Sequence, residues 1–138
     1  MAMKKIGVVG AGTMGTGIAQ VAAASGFEVI LNDVGEDYLQ RSLSMMEKSL
    51  AKLAEKGKIQ EDKGKILSRV RTAASLSDLK EADFVVEAVF EDFEIKKKVL
   101  QELDKLLSPA IIMTSNTSSI SITRLAALTK RPSQFMGM

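Results

Sequence analysis

The chain has 138 residues, of which 46% are hydrophobic and 26% are charged, and these proportions predict one soluble globular domain rather than a disordered or fibrous protein. Its net charge of +2 and the lack of a long basic block argue against a nucleic-acid partner. With no cysteine and no histidine, a disulfide, a thiolate metal site and a histidine-activated serine triad are excluded, and we expect no metal.

The N-terminal segment is too short, and too soon interrupted by glycine, for a signal peptide or a membrane span. We therefore expect a cytoplasmic protein that has no contact with a membrane. The remaining function classes are those of a soluble enzyme or a soluble binding module.

Strand-like and helix-like segments alternate from the N-terminus. Lys5–Gly10 is a short apolar run with glycines, which is typical of a buried parallel strand. Thr13–Ser25 is an alanine-rich helix that Gly26 ends. Phe27–Leu31 is a second strand, which leads to Asp33.

A helical hairpin follows the second strand. Apolar residues spaced by four and three predict a long amphipathic helix that ends near Lys56, and a shorter helix follows from about Glu61 to Val70. Together they occupy about residues 36–70. The minimal β-α-β unit has a single crossover helix here, so the hairpin is an insertion.

The second half continues the alternation. It contains helices over about residues 93–107, which Pro109 ends, and over about 121–128. The predicted strands are Arg71–Ala74, Asp83–Glu87, Ala110–Thr114 and Gln134–Met138. This order predicts an α/β fold with a doubly wound parallel sheet, and one domain over residues 1–138. Ligands of such sheets bind at the carboxyl ends of the strands.

The first such strand end carries the spacing GxGxxG, in residues Gly10, Ala11, Gly12, Thr13, Met14 and Gly15. The first glycine permits a tight turn, the second lets the backbone approach a pyrophosphate, and the third lets helix and strand pack closely. An acid, Asp33, follows 21 residues after Gly12 at the end of the second strand. This combination is typical of a Rossmann dinucleotide-binding domain.

Asp33 also bears on the choice of dinucleotide. A carboxylate in this position can bind ribose hydroxyls but repels a 2′-phosphate, and no arginine stands beside it. The sequence therefore favours NAD over NADP.

Acidic and basic residues follow the strand that ends at Glu87. Ala88, Glu91 and Lys96 follow it. The acids Glu87 and Glu91 could line the cleft or simply begin the next helix, whose dipole favours negative charge. The run Lys96–Lys98 is typical of a solvated helix face, with contact to an anionic ligand as the alternative.

Small polar residues occupy Ser115–Ser119, after the following strand. Such residues are preferred helix caps, and a cluster of hydroxyls and amides could equally hold a polar substrate against the nicotinamide. The residues alone leave both interpretations open.

One polar line runs along the long helix. Ser42, Ser49 and Lys56 are spaced by seven, so they share the flank of the apolar stripe. Their spacing is typical of a solvated edge, and contact with a phosphorylated ligand is the alternative.

Three segments, 8–20, 82–91 and 115–119, resemble the 3-hydroxyacyl-CoA dehydrogenase family, and its 3-hydroxybutyryl-CoA branch in particular. The resemblance covers essentially the whole chain, and its specific parts are the helical hairpin and the Ser-Asn-Thr-Ser-Ser segment. It implies reversible oxidation of (S)-3-hydroxybutyryl-CoA, or another 3-hydroxyacyl-CoA, by NAD to acetoacetyl-CoA or the matching 3-oxoacyl-CoA.

The resemblance also assigns the cofactor residues. The glycine loop and Asp33 would hold the ADP half of NAD. Ala88, Glu91 and Lys96 would lie near the nicotinamide side.

The substrate residues come from the same resemblance. Ser118 would bind the 3-oxygen of the substrate close to the nicotinamide, and Asn116 would shape the same loop. Ser49 and Lys56 match positions that contact CoA in the family.

The family pattern continues beyond Met138. Its catalytic base is a histidine in a His-Phe-x-Asn-Pro segment, and this chain ends at Phe135–Met138, where that segment would begin. The acid that orients the histidine and a helical domain that forms a homodimer would also follow. We therefore expect this chain to bind NAD, with an acyl-CoA as the substrate of the enzyme, but to turn that substrate over poorly or not at all.

Two other functions remain open at this point. A β-hydroxyacid dehydrogenase of the 6-phosphogluconate or 3-hydroxyisobutyrate type has a similar glycine motif. A non-catalytic NAD-sensing module needs the glycine loop but no substrate residues.

Overall fold

A parallel sheet forms the centre of the computed structural model, which describes residues 4–117 and 119–137. Its described strands lie in the order β3-β2-β1-β4-β5-β6, and all neighbours pair in parallel. The order reverses between β1 and β4, which is where doubly wound sheets bind ligands. The strands are β1 Lys5–Val9, β2 Glu28–Asn32, β3 Val70–Ala73, β4 Phe84–Glu87, β5 Ile112–Ser115 and β6 Phe135–Gly137.

Helices connect these strands and confirm the predicted α/β architecture. The hairpin of α2 and α3 packs against α1. Helix α3 is shorter than expected at both ends, since Asp62 caps its start by accepting from Lys65 N at 3.3 Å and β3 already begins at Val70. The helices are α1 Thr13–Ala24, α2 Glu36–Glu55, α3 Lys63–Leu67, α4 Phe93–Leu106 and α5 Ile122–Ala126.

A 3₁₀ helix over Leu76–Glu81 makes the crossover from β3 to β4, and the sequence did not predict it. Six residues are too few to show a helical period, and the local signal is a cap, since the Ser75 hydroxyl accepts from Ser77 N at 3.2 Å. The segment matters because Leu79 is fully buried. A Cβ atom on Gly7 would lie 2.7 Å from its side chain.

Two apolar clusters cover the two faces of the sheet. Alternate residues of one strand point to opposite faces, and accordingly Val8 belongs to one cluster and Val9 to the other. Helices α1, α2 and α3 complete the first cluster, and α4 and α5 complete the second. The described residues contain no helix that is long and apolar enough to cross a bilayer.

A buried arginine fixes the segment that leads into β6 against the C-terminal end of α4. Arg131 Nε donates to Asp104 Oδ1 at 2.7 Å, and its other nitrogens donate to the carbonyls of Asp104, Leu107, Ser108 and Ile111 at 2.7–3.1 Å. These carbonyls lie at and after the C-terminal end of α4, where helical partners are missing and a cation is favoured.

Arg131→Met should therefore lower the free energy of unfolding by about 3–5 kcal/mol, because the buried Asp104 carboxylate loses its counter-charge. Lys130→Met is the matched control, since its side chain is exposed, and it should stay within about 0.5 kcal/mol of the parent. Denaturant unfolding of both variants measures the difference. Equal effects of the two substitutions would contradict this role of Arg131.

Candidate functional site

The glycine loop after β1 adopts a conformation that two of its glycines require. Gly10 has φ of 108°, and a Cβ atom there would lie 2.6 Å from the carbonyl oxygen of Ala88. A Cβ atom on Gly15 would lie 1.7 Å from the carbonyl oxygen of Gly10. Helix α1 therefore begins directly against the loop only because both positions lack a side chain.

Gly12 differs from these two because it faces open space. A Cβ atom there would meet no atom within 4 Å, and Thr13 and Met14 next to it are exposed. No side chain caps this end of α1 in the described part of the chain. The loop thus leaves room, at the positive end of a helix dipole, for an anionic group such as a diphosphate.

Asp33 joins this loop to the end of β2. Its Oδ2 accepts from Ala11 N at 2.9 Å, and its Oδ1 accepts from Gly35 N at 3.0 Å. A carboxylate has about four acceptor positions, so these two bonds leave capacity for hydroxyl donors of a ribose. The half-buried side chain fixes the negative charge beside the loop.

Glu87, at the end of β4, is joined to α4 by a buried ion pair and to β5 by a hydrogen bond. The Glu87 and Lys96 side chains are both 0% exposed, with Lys96 Nζ 2.7 Å from Glu87 Oε2. The Ser115 hydroxyl donates to Glu87 Oε1 at 2.5 Å. Lys96 Nζ also donates to the carbonyl oxygen of Asn116 at 3.2 Å. The expectation of a solvated lysine face is wrong for Lys96, although Lys98 is exposed.

Glu91 binds the loop that follows β5. It accepts from the Thr117 hydroxyl at 2.7 Å and from the Ser119 hydroxyl at 3.1 Å. Its Oε1 also lies 3.6 Å from Lys96 Nζ. Ser118, the residue expected to bind the substrate oxygen, lies outside the described residues.

The predicted cofactor and loop residues converge at the carboxyl edge of the sheet. Ala88 N donates to the carbonyl oxygen of Val9 at 2.8 Å, and Asn116 N donates to that of Glu87 at 2.8 Å. The glycine loop, residues 88–91 and the residues at 116, 117 and 119 are therefore neighbours along one edge.

Ser42 and Ser49, from the polar line on α2, contact side chains of α1 rather than the ends of the strands. The Ser42 hydroxyl is buried and lies 2.6 Å from that of Thr16, and Ser49 accepts from Gln20 Nε2 at 2.9 Å. Lys56 is exposed and follows the last residue of α2. Among the described contacts, none joins Ser49 or Lys56 to the strand ends.

Sequence reasoning missed the pairing of Glu87 with Lys96 and the part of Ser115 in it. The available signal was an acid inside an otherwise apolar strand end, nine residues before a lysine on the next helix. Such an acid needs a buried partner, but the sequence offers three adjacent lysines and does not say which one turns inward. The described residues hold no cluster of metal-ligating side chains.

Comparison with known proteins identifies the family of this domain. Residues 5–138 match the family model described as the NAD-binding domain of 3-hydroxyacyl-CoA dehydrogenases. The chain belongs to this family. The cofactor of the family domain is NAD, and the open glycine loop with Asp33 fits it.

Individual relatives point the same way. A 3-hydroxybutyryl-CoA dehydrogenase of Bradyrhizobium diazoefficiens is 48% identical over 99% of this chain and 47% of the relative. A probable 3-hydroxybutyryl-CoA dehydrogenase of Deinococcus radiodurans is 47% identical over 97% of this chain and 48% of the relative. The chain thus spans about half the length of these curated relatives.

A solved structure extends the likeness to three dimensions. The crystal structure of (S)-3-hydroxybutyryl-CoA dehydrogenase from Ralstonia eutropha superposes with a TM-score of 0.96 and is 42% identical, over 99% of this chain and 49% of that one. The described fold, with its inserted hairpin, is therefore that of the dehydrogenase NAD-binding domain.

Gly12→Ala should separate cofactor contact from folding. The open surroundings of Gly12 and its φ of −77° accept a methyl group, so thermal unfolding should change little, while the affinity for NADH falls about tenfold or more because the methyl group occupies the diphosphate position. Calorimetric titration measures the affinity.

Gly17→Ala is the control for this substitution. Gly17 lies in α1 and also faces open space, and alanine is the better helix former by about 1 kcal/mol. The variant should be slightly more stable and should bind NADH like the parent. Unchanged NADH affinity in Gly12→Ala would contradict the assignment of the loop.

Proposed function

We propose that this chain supplies the NAD-binding site and part of the substrate site of an enzyme that oxidises (S)-3-hydroxybutyryl-CoA, or a related 3-hydroxyacyl-CoA, to the 3-oxoacyl-CoA. The observation that carries the proposal is the convergence of the open glycine loop, Asp33 and the polar loops after β4 and β5 at one sheet edge. When bound there, NAD accepts or returns the hydride.

The two ends of the dinucleotide meet different parts of this edge. The glycine loop and Asp33 bind the ADP half through backbone N–H groups and a carboxylate. Ala88, Glu91 and Lys96 belong to the nicotinamide side, where Glu91 and Lys96 act by fixing the loops around them. The open space at Gly12 belongs to the part of the edge that binds the ADP half.

The loop after β5 belongs to the substrate. Ser118 donates to the 3-oxygen of the substrate in this proposal, and Asn116 shapes the loop beside it. The Asn116 carbonyl is engaged by Lys96 Nζ, and Thr117 and Ser119 are engaged by Glu91. The loop is therefore anchored on both sides of position 118, which suits a residue that must meet a reacting atom.

Ser49 and Lys56 are proposed to contact the CoA portion of the substrate. The exposed ammonium of Lys56 suits a phosphate group. Ser49, already an acceptor from Gln20, retains its own hydroxyl hydrogen for a phosphate oxygen.

The chain contains no histidine, so the proposal assigns it no imidazole base. A general base often contributes about 10²–10⁴-fold to rate, and turnover by this chain alone should be correspondingly slow. A homodimer and a cytoplasmic location belong to the same proposal.

Titration of the chain with NADH and with NADPH, followed by acetoacetyl-CoA in the presence of NADH, tests the function. We expect NADH to bind more tightly than NADPH and acetoacetyl-CoA to bind the NADH complex. Binding of NADH without any response to acetoacetyl-CoA would instead indicate an NAD-sensing module.

Asp33→Asn should narrow the preference for NADH over NADPH. The variant removes the negative charge that repels a 2′-phosphate, and it also removes one of the two acceptors that hold Ala11 N and Gly35 N. NADPH affinity should rise relative to NADH by about tenfold, which is about 1.4 kcal/mol. Asp37→Asn, at an exposed acid in the first turn of α2, should leave the ratio unchanged. An unchanged ratio in both variants would remove Asp33 from the site.

A further inference from the structure

One buried charge joins the two loops of the nicotinamide side. Lys96 Nζ contacts Glu87 Oε2 at 2.7 Å, the Asn116 carbonyl oxygen at 3.2 Å and Glu91 Oε1 at 3.6 Å. The first of these partners ends β4, and the others lie in the loops that follow β4 and β5. With no exposed surface, Lys96 acts on a ligand only through these neighbours.

Glu87 plays the matching part from the sheet. Besides Lys96, its oxygens accept from Val89 N at 2.8 Å and from the Ser115 hydroxyl. It stands in register with Val9 on one side and Ser115 on the other, which places it at the reversal of strand order. One carboxylate thus fixes the first residues of the 88–91 loop and the end of β5.

Stability alone gives a poor account of this pair. Burial of two charges carries a desolvation cost, and apolar residues of similar volume are often as stabilising or more so. Lys96 also lies near the N-terminal end of α4, which begins at Phe93, and the helix dipole disfavours a cation there. The explanation that remains is the geometry that the pair imposes on the loops after β4 and β5.

We infer that Glu87 and Lys96 are positioning residues, which hold residues 88–91 and 116–119 in the arrangement that the nicotinamide half of the dinucleotide needs. This inference rests on the proposed function. Among the described hydrogen bonds and ion pairs, none links either residue to the glycine loop or to Asp33. The ADP half should therefore bind independently of the pair.

The double variant Glu87→Leu with Lys96→Met tests this independence. It replaces the pair with apolar side chains of similar volume, so no unpaired charge is buried. We expect a moderate fall in melting temperature, because the Ser115 hydroxyl and Val89 N lose their acceptor. The affinity for ADP should stay near that of the parent, while the affinity for NADH falls about tenfold or more. Lys98→Met, on the exposed side of the same helix, should leave both affinities unchanged.

The outcomes of this test are distinct. If the parent binds neither ADP nor NADH, the proposed function fails and the inference fails with it. If the parent binds both and the double variant binds both equally well, the positioning role alone is overturned. Parallel loss of ADP and NADH binding would show that the pair supports the whole domain, and would also overturn it.

A conservative variant covers the case in which the double variant does not fold. Glu87→Gln keeps the shape of the side chain and an acceptor oxygen but removes the charge that holds Lys96. Amide hydrogen exchange should become faster in residues 88–91 and 116–120 and remain unchanged in residues 10–15. Unchanged exchange in both loops would contradict the inference.

Discussion

The contact between Gly15 and the carbonyl of Gly10 is the constraint on which the first half of the fold depends. A side chain at Gly15 would overlap that oxygen at 1.7 Å, so only glycine lets α1 start immediately beyond β1. The position of α1 in turn places Thr16 against Ser42 and Gln20 against Ser49. One missing Cβ atom therefore sets both the open N-terminal end of α1 beside the glycine loop and the position of the inserted hairpin.

The loops after β4 and β5 are held in place by different interactions. They are fixed by side chains, and the central pair of Glu87 and Lys96 is fully buried. In a domain whose stability is a small difference between large terms, a buried ion pair is a costly way to join two loops. The benefit of the pair is that its donors and acceptors fit together in one arrangement, whereas apolar packing fixes the geometry of the loops less strictly.

The sequence predicted the fold well because its signals were local. Strand ends, the helical period of α2 and the glycine spacing each depend on residues within one element, and their bounds differ from the structure by one to three residues for most elements. The sequence predicted less where a short segment was set by tertiary contacts, as in the 3₁₀ helix above the buried Leu79. The inward turn of Lys96 was likewise decided by Glu87 on another element, which no local pattern could show.

The glycine loop and the loops held by Glu87 and Lys96 are thus built by different interactions, which the family resemblance alone does not show. Under the proposed function, the ADP side relies on backbone groups and on the absence of side chains, so most substitutions there act by filling space. The nicotinamide side relies instead on the buried pair of Glu87 and Lys96, so substitutions of the pair act by loosening the loops that it holds. The Lys96 ammonium contacts both Asn116 and Glu91, so the loops after β4 and β5 share one buried charge. Under the proposed function, this shared contact joins the cofactor side of the site to its substrate side.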